Sequence, residues 1–220
     1  MRLKDLINSK KISIKSLKTL IEKSDKPIYV LVAGSVGAGK SFIINKFLSD
    51  TDVIDPDDFT KSLGNETYNS SNVAKSMSLV RKAVKDKLNK KESFVQQGTS
   101  ANLQNTIKKL IQAKKAGFKT VLLYVSAPIE QAFEQIQQRV KKGGHGKDID
   151  FKKIDKTYKG SKLTFKALTG ENINSFDIED KNRIQKALDF LNKSFKDIST
   201  LSHAQSYVDF YVEVDNTYKV

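Results

Sequence analysis

The hydrophobic positions of this chain fall into two periods that alternate along its length. IYVLVAG (28–34) is a continuous apolar run of strand length, the pattern of a parallel strand buried on both faces. TDVID (51–55), SFVQQG (93–98), FKTVLLYVS (118–126) and YVDFYVEVD (207–215) give four further strands. Between them the apolar spacing switches to three and four, predicting helices over 41–48, 71–91, 101–117, 129–140 and roughly 178–196. Gly117 is placed to end the third of these, and Pro128 to begin the fourth. Residues 1–26 carry Leu3, Leu6, Ile7, Ile12, Ile14, Leu17, Leu20 and Ile21 at helical spacing, broken by Ser24-Asp25-Lys26-Pro27. Strands alternating with helices from residue 28 onward predict an α/β fold with a mainly parallel five-stranded sheet between helical layers. The expected organisation is a helical extension (1–26) followed by a single domain (27–220).

The chain has 220 residues, 38% hydrophobic and 29% charged, as expected of a globular domain. No apolar run approaches the roughly 20 residues of a membrane span, and the N-terminus has no apolar core of a secretory signal. There is no cysteine, which excludes disulfides and thiolate chemistry and fits a cytoplasmic protein. The net charge is +14, and almost all of the basic residues are lysines. Such a surface attracts phosphate-rich partners, nucleic acid among them. An AT-rich coding sequence gives the same lysine excess, and dedicated nucleic-acid surfaces ordinarily use arginine too. Aromatic residues do not interleave with the basic ones, so single-strand stacking has no support.

One motif is specific. Gly34-Ser35-Val36-Gly37-Ala38-Gly39-Lys40-Ser41 matches G-x-x-x-x-G-K-[ST] in full, and it follows a predicted strand and opens a predicted helix. Chance yields such a match in about one percent of chains this long. Glycines let the backbone wrap phosphate oxygens closely, and the loop N–H groups and helix N-terminus face the anion. Lys40 reaches the β- and γ-phosphates of ATP or GTP, and Ser41 is placed to hold Mg²⁺. Phosphoryl transfer also needs a carboxylate near the γ-phosphate. Asp55, Asp57 and Asp58 sit at the end of the second strand, and in an open α/β sheet the site lies at the carboxyl ends of the strands. Ordinary helix capping by Asp55 or Asp57 is the competing reading.

These motifs together resemble the zeta-toxin family of P-loop kinases, within the wider group that includes polynucleotide kinase and chloramphenicol phosphotransferase. The likeness rests on the P-loop, VIDPDDF, FVQQGTS and AKKAGFKTVLLYVSAPIEQAFEQIQQRVKKGGHGKDI. It also takes in the closing VDFYVEVDNT. It implies transfer of a γ-phosphate to a hydroxyl, in zeta toxins proper on a UDP-activated amino sugar. By position, Asp57 aligns with the catalytic base and Arg139 with an arginine that clamps the moving phosphate, while Asp55 takes a position where the family often has Asn and is, with Ser41, the candidate metal ligand. Lys156 falls where a second lid arginine is usual. Two positions depart from the pattern: the acidic residue of the family's E-T-T is Gln97, and an arginine expected one turn before Arg139 is Gln135.

Gly143, Gly144 and Gly146 flank His145 among lysines, which suits a basic lid over about 141–160. Gln96, Gln97, Thr99 and Ser100 are expected at the acceptor pocket, with Thr99 or Ser100 alternatively capping the next helix. The expectation is a P-loop phosphotransferase acting on a hydroxyl of a sugar nucleotide or other small molecule. Its rivals are a kinase of nucleic acid or nucleotides, and a degenerate nucleotide-binding or structural protein docking through its basic surface.

Overall fold

The computed structural model describes residues 10–63, 70–142, 149–171, 173–195 and 198–217. Five parallel strands form one sheet: β1 (Ile28–Ala33), β2 (Asp52–Ile54), β3 (Phe94–Gln96), β4 (Lys119–Ser126) and β5 (Phe210–Asp215), in the order β2-β3-β1-β4-β5. β1 lies at the centre, pairing with β3 from Tyr29 opposite Phe94 and with β4 from Ile28 opposite Lys119. All six of its residues are buried, as its unbroken apolar run predicts.

Those residues serve two cores in alternation. Ile28, Val30 and Val32 pack with Leu17 and Leu20 of α1 (Ile14–Lys23) and Ile43, Ile44 and Leu48 at α2 (Lys40–Phe47). Tyr29, Leu31 and Ala33 face the other way, toward Leu110 of α5 (Leu103–Lys115), Phe165 of α7 (Phe151–Thr169) and Leu188 of α8 (Ile178–Phe195). The strand period of two thus sorts one sequence run onto both faces, giving three layers. α3 (Pro56–Ser62) and α4 (Ser70–Lys90) follow β2, α6 (Ile129–Lys141) follows β4, and α9 (Leu201–Gln205) precedes β5. No helix among the described residues is long and apolar enough to cross a membrane.

Local chemistry sets the boundaries. Asp150 caps α7 by accepting from Lys153 N at 2.7 Å, and Gly170 ends it at φ +79°. Asn102, rather than Thr99 or Ser100, caps α5, accepting from Asn105 N at 2.9 Å. Two segments differ from expectation. Lys10–Ile12 is extended, not helical: Tyr211 N donates to Lys10 O at 2.7 Å, and Ile12 N to Tyr211 O at 2.9 Å. The open edge of β5 supplies these bonds, Lys11 holds Glu171 and Glu213, and Ser13 then caps α1. Helix α1 contributes to the same core as the sheet. Residues 151–160 are also packed helix, with Ile154 and Gly160 buried, where part of a basic lid was expected. The lid glycines, His145 and Lys147 lie outside the described residues, as do residues 1–9.

Candidate active site

The loop between β1 and α2 turns on three glycines. Gly37 and Gly39 have φ of +80°, and a Cβ on either would lie 2.2 Å from Ala132 O or 2.1 Å from Asn216 Nδ2. No other residue fits there. Ala38 and Ser35 are buried in the loop, and Val36 N donates to Thr157 Oγ1 of α7 at 3.3 Å. The Lys40 ammonium folds back over the loop, donating to Ser35 O at 2.7 Å and Gly34 O at 3.2 Å. Desolvation brings its pKa down to about 8, a fall that Asp55 and Asp57 oppose and Arg139 reinforces.

Beside the loop, Gln97 joins two of the predicted residues. Its Nε2 donates to Asp55 Oδ2 at 2.5 Å and to Ser41 Oγ at 3.1 Å. Gln97 N donates to Ile54 O at 2.9 Å, which fixes it at the carboxyl ends of β2 and β3. Asp55 Oδ1 in turn accepts from Asp57 N at 2.9 Å and caps α3. Desolvation pushes the Asp55 carboxyl above its usual range, against the bond from Asp57 N. Asp55 therefore caps a helix and faces the P-loop at once. Thr60 Oγ1 and Ser76 Oγ both donate to Pro56 O, anchoring this turn to α4.

These groups line a cavity of about 530 Å³, within the size range of ligand pockets. Its lining includes Val36, Gly37, Gly39, Lys40 and Ser41 of the P-loop, Asp55 and Asp57 after β2, Gln97 and Thr99 after β3, and Gln135 and Arg139 of α6. The Arg139 Nε and Nη2 are buried with no hydrogen-bond partner among the described residues. A charged donor left so costs stability unless an anion arrives. Lys153 of α7 also lines the cavity, whereas Lys156, one turn further on, is exposed and lies outside the lining.

Two expected pocket residues point elsewhere. Gln96 is buried in the core, where its Oε1 accepts from Tyr29 OH at 2.5 Å. Consecutive strand residues face opposite sides, so Gln96 and Gln97 were never able to share the cavity. Ser100 Oγ donates to Val32 O at 3.0 Å and supports the turn after β3. A residue that motif reasoning passed over stands beneath the loop: Asn216, 3% exposed, donates from Nδ2 to Ala38 O at 2.9 Å. Its only signal in the sequence was the closing VDN, which spacing does not connect to the P-loop. Among the described residues no group of three or more His, Cys, Asp or Glu could hold a metal ion.

The P-loop on a central parallel strand, with carboxylates and an arginine converging on one cavity, places the protein among the P-loop kinases. The zeta toxin family model matches residues 13–193, and the chain belongs to the zeta toxin family. No curated protein matches the chain by sequence. Its fold is similar to a chain of the Pnkp1/Rnl/Hen1 RNA repair complex, with TM-score 0.56 and 16% identity over 70% of this chain and 48% of the other. The chain thus spans about half the length of that one. It is similar to a chain of the AvrRxo1-ORF1:-ORF2 complex with ATP, with TM-score 0.53 and 17% identity over 72% and 55%. The PezAT toxin–antitoxin system of Streptococcus pneumoniae gives TM-score 0.50 and 16% identity over 86% and 91%.

Proposed function

We propose that the protein moves the γ-phosphoryl group of Mg·ATP to a hydroxyl of a sugar nucleotide or other small molecule. The observation that carries this reading is the buried face of Arg139, its Nε and Nη2 without a partner among the described residues, in the cavity that Lys40 and Asp57 also line. A cavity that gathers cationic donors and a carboxylate suits a reaction in which anionic charge spreads over a transferring group. Residues 34–41 bind the triphosphate. Asp57 accepts the proton of the acceptor hydroxyl as its oxygen bonds to the γ-phosphorus and the bond to the β-phosphate oxygen breaks, releasing ADP. Lys40 and Arg139 neutralise the equatorial oxygens, and Gln97 and Thr99 offer hydrogen bonds to the acceptor. Ser41 Oγ and Asp55, held together by Gln97, are the hard oxygen donors that suit Mg²⁺, an ion usually bound through one or two protein oxygens plus phosphates and water. When bound, the ion supplies charge neutralisation at the phosphates. GTP offers the same phosphates to the loop. Lys153 of α7, which lines the cavity, adds a further cation near the phosphates in this reading.

The test is transfer from γ-labelled ATP with Mg²⁺ to UDP-amino sugars, nucleosides, or DNA and RNA ends, with Lys40→Ala alongside. A labelled small-molecule product absent from the variant is the expected result. Label on nucleic-acid ends would replace the acceptor class. A protein that binds nucleotide yet neither transfers nor hydrolyses would overturn the proposal.

A further inference from the structure

We infer that Asn216 is a positioning residue of the P-loop, locking the Ala38–Gly39 peptide so that its N–H faces the nucleotide phosphates. A trans peptide is planar, so its C=O and N–H point in opposite directions. Asn216 Nδ2 holds the Ala38 carbonyl from below at 2.9 Å. The Gly39 N–H is thereby directed to the opposite side, where Gly39 lines the cavity. The lock has work to do because Gly39, at φ +80°, has neighbouring conformations open to it that any other residue would lack. Without a partner on the carbonyl, the peptide can rotate and withdraw one phosphate donor.

Asn216 is itself held firmly. Its backbone N–H donates to Ser126 O at 2.7 Å, and its carbonyl accepts from Gln131 Nε2 at 3.0 Å. The end of β5 is therefore tied to the end of β4 and to the first turn of α6 before its side chain meets the loop. The contact is tight: a Cβ on Gly39 would lie 2.1 Å from Asn216 Nδ2. The Asn216 Oδ1 is buried with no hydrogen-bond partner among the described residues. A side chain kept only for stability is poorly served by such an unmet acceptor. One chosen to direct a loop carbonyl needs only its donor.

The inference concerns nucleotide binding and does not depend on which acceptor the proposed kinase uses. The experiment is equilibrium titration of MgADP and MgATP into wild type, Asn216→Ala and Asn216→Asp, with thermal unfolding of each empty protein. Asn216→Asp preserves the shape but its carboxylate cannot donate to Ala38 O. Both variants are expected to bind nucleotide about tenfold more weakly or worse, the size of one lost hydrogen bond. Empty Asn216→Ala, relieved of the unmet acceptor, should melt within a few degrees of wild type. KM for the acceptor should stay within about twofold. Nucleotide affinity unchanged in a variant that merely melts lower would make Asn216 a structural residue and overturn the inference. Wild-type protein that binds nucleotide but transfers no phosphate, with the affinity losses seen in both variants, would count against the proposed reaction and leave this inference standing.

Discussion

Replacing Arg139 by Met should make the empty protein more stable and the catalyst far worse. Met keeps most of the apolar stem and removes the guanidinium, whose Nε and Nη2 are buried without partners among the described residues. Each buried donor left unmet costs about 1–3 kcal/mol. Arg139 is half-buried as a whole, and water screens part of its charge. A net gain of about 1–2 kcal/mol is therefore expected, or ~2–8 °C in Tm for a chain of this size. In the transfer reaction the same guanidinium meets charge that grows toward the transition state. Its removal should cost about 10³-fold in kcat, ~4 kcal/mol. The assays are thermal unfolding with and without nucleotide, and initial rates of transfer from γ-labelled ATP. The nucleotide-induced rise in Tm should also shrink. A Tm that falls while transfer stays within about fivefold would mean that the guanidinium is satisfied elsewhere and serves packing alone.

Three other outcomes follow from the site. Lys40→Ala should abolish transfer while far-ultraviolet circular dichroism shows the fold retained, and equal turnover would remove Lys40 from the mechanism. Asp57→Asn should stop transfer yet spare nucleotide affinity measured by titration; loss of both would give Asp57 a structural or metal-binding role. The third concerns pH. Lys40 has its pKa brought down to about 8 in the folded protein, against 10.5 for an unperturbed lysine. Between these values the unfolded chain binds more protons, so this group's contribution to stability rises with pH. Nucleotide binding needs the ammonium and should weaken over the same range. Affinity equal at pH 7 and pH 9.5 would contradict this, and Lys40→Met should flatten the profile.

The strands and the P-loop were legible because their signals are local. An apolar run such as Ile28–Ala33 has one comfortable place, between two helical layers, and Gly-x-x-x-x-Gly-Lys-Ser states its own geometry. The place of Asp57, Gln97 and Thr99 at one cavity was foreseeable from the rule that sites gather at the carboxyl ends of parallel strands, whereas Arg139, in the last turn of α6, came only from the family resemblance. Helix α7 was hidden by the glycines and lysines before it and by Gly160 within it. Gly160 is there because Ala101 O would lie 2.5 Å from any Cβ, a contact between distant segments that no window of sequence reveals. Asp150 and Gly170 were usable helix-end signals all the same. The inward turn of Gln96 was available from strand alternation. The pairing of Lys10–Ile12 with β5 and the seat of Asn216 were not, because both depend on partners far away in the chain.

Asn216 lies 178 residues beyond the carbonyl it holds. Ribosomes add roughly 5–20 residues per second, so on the order of ten to forty seconds separate the synthesis of the phosphate loop from that of its brace. β1 likewise waits for β4, and β4 for β5, before the sheet is complete. Pairings of such long sequence separation form slowly. A nascent chain carrying the entire loop is thus still without a braced nucleotide site, and binding competence arrives only with the closing strand.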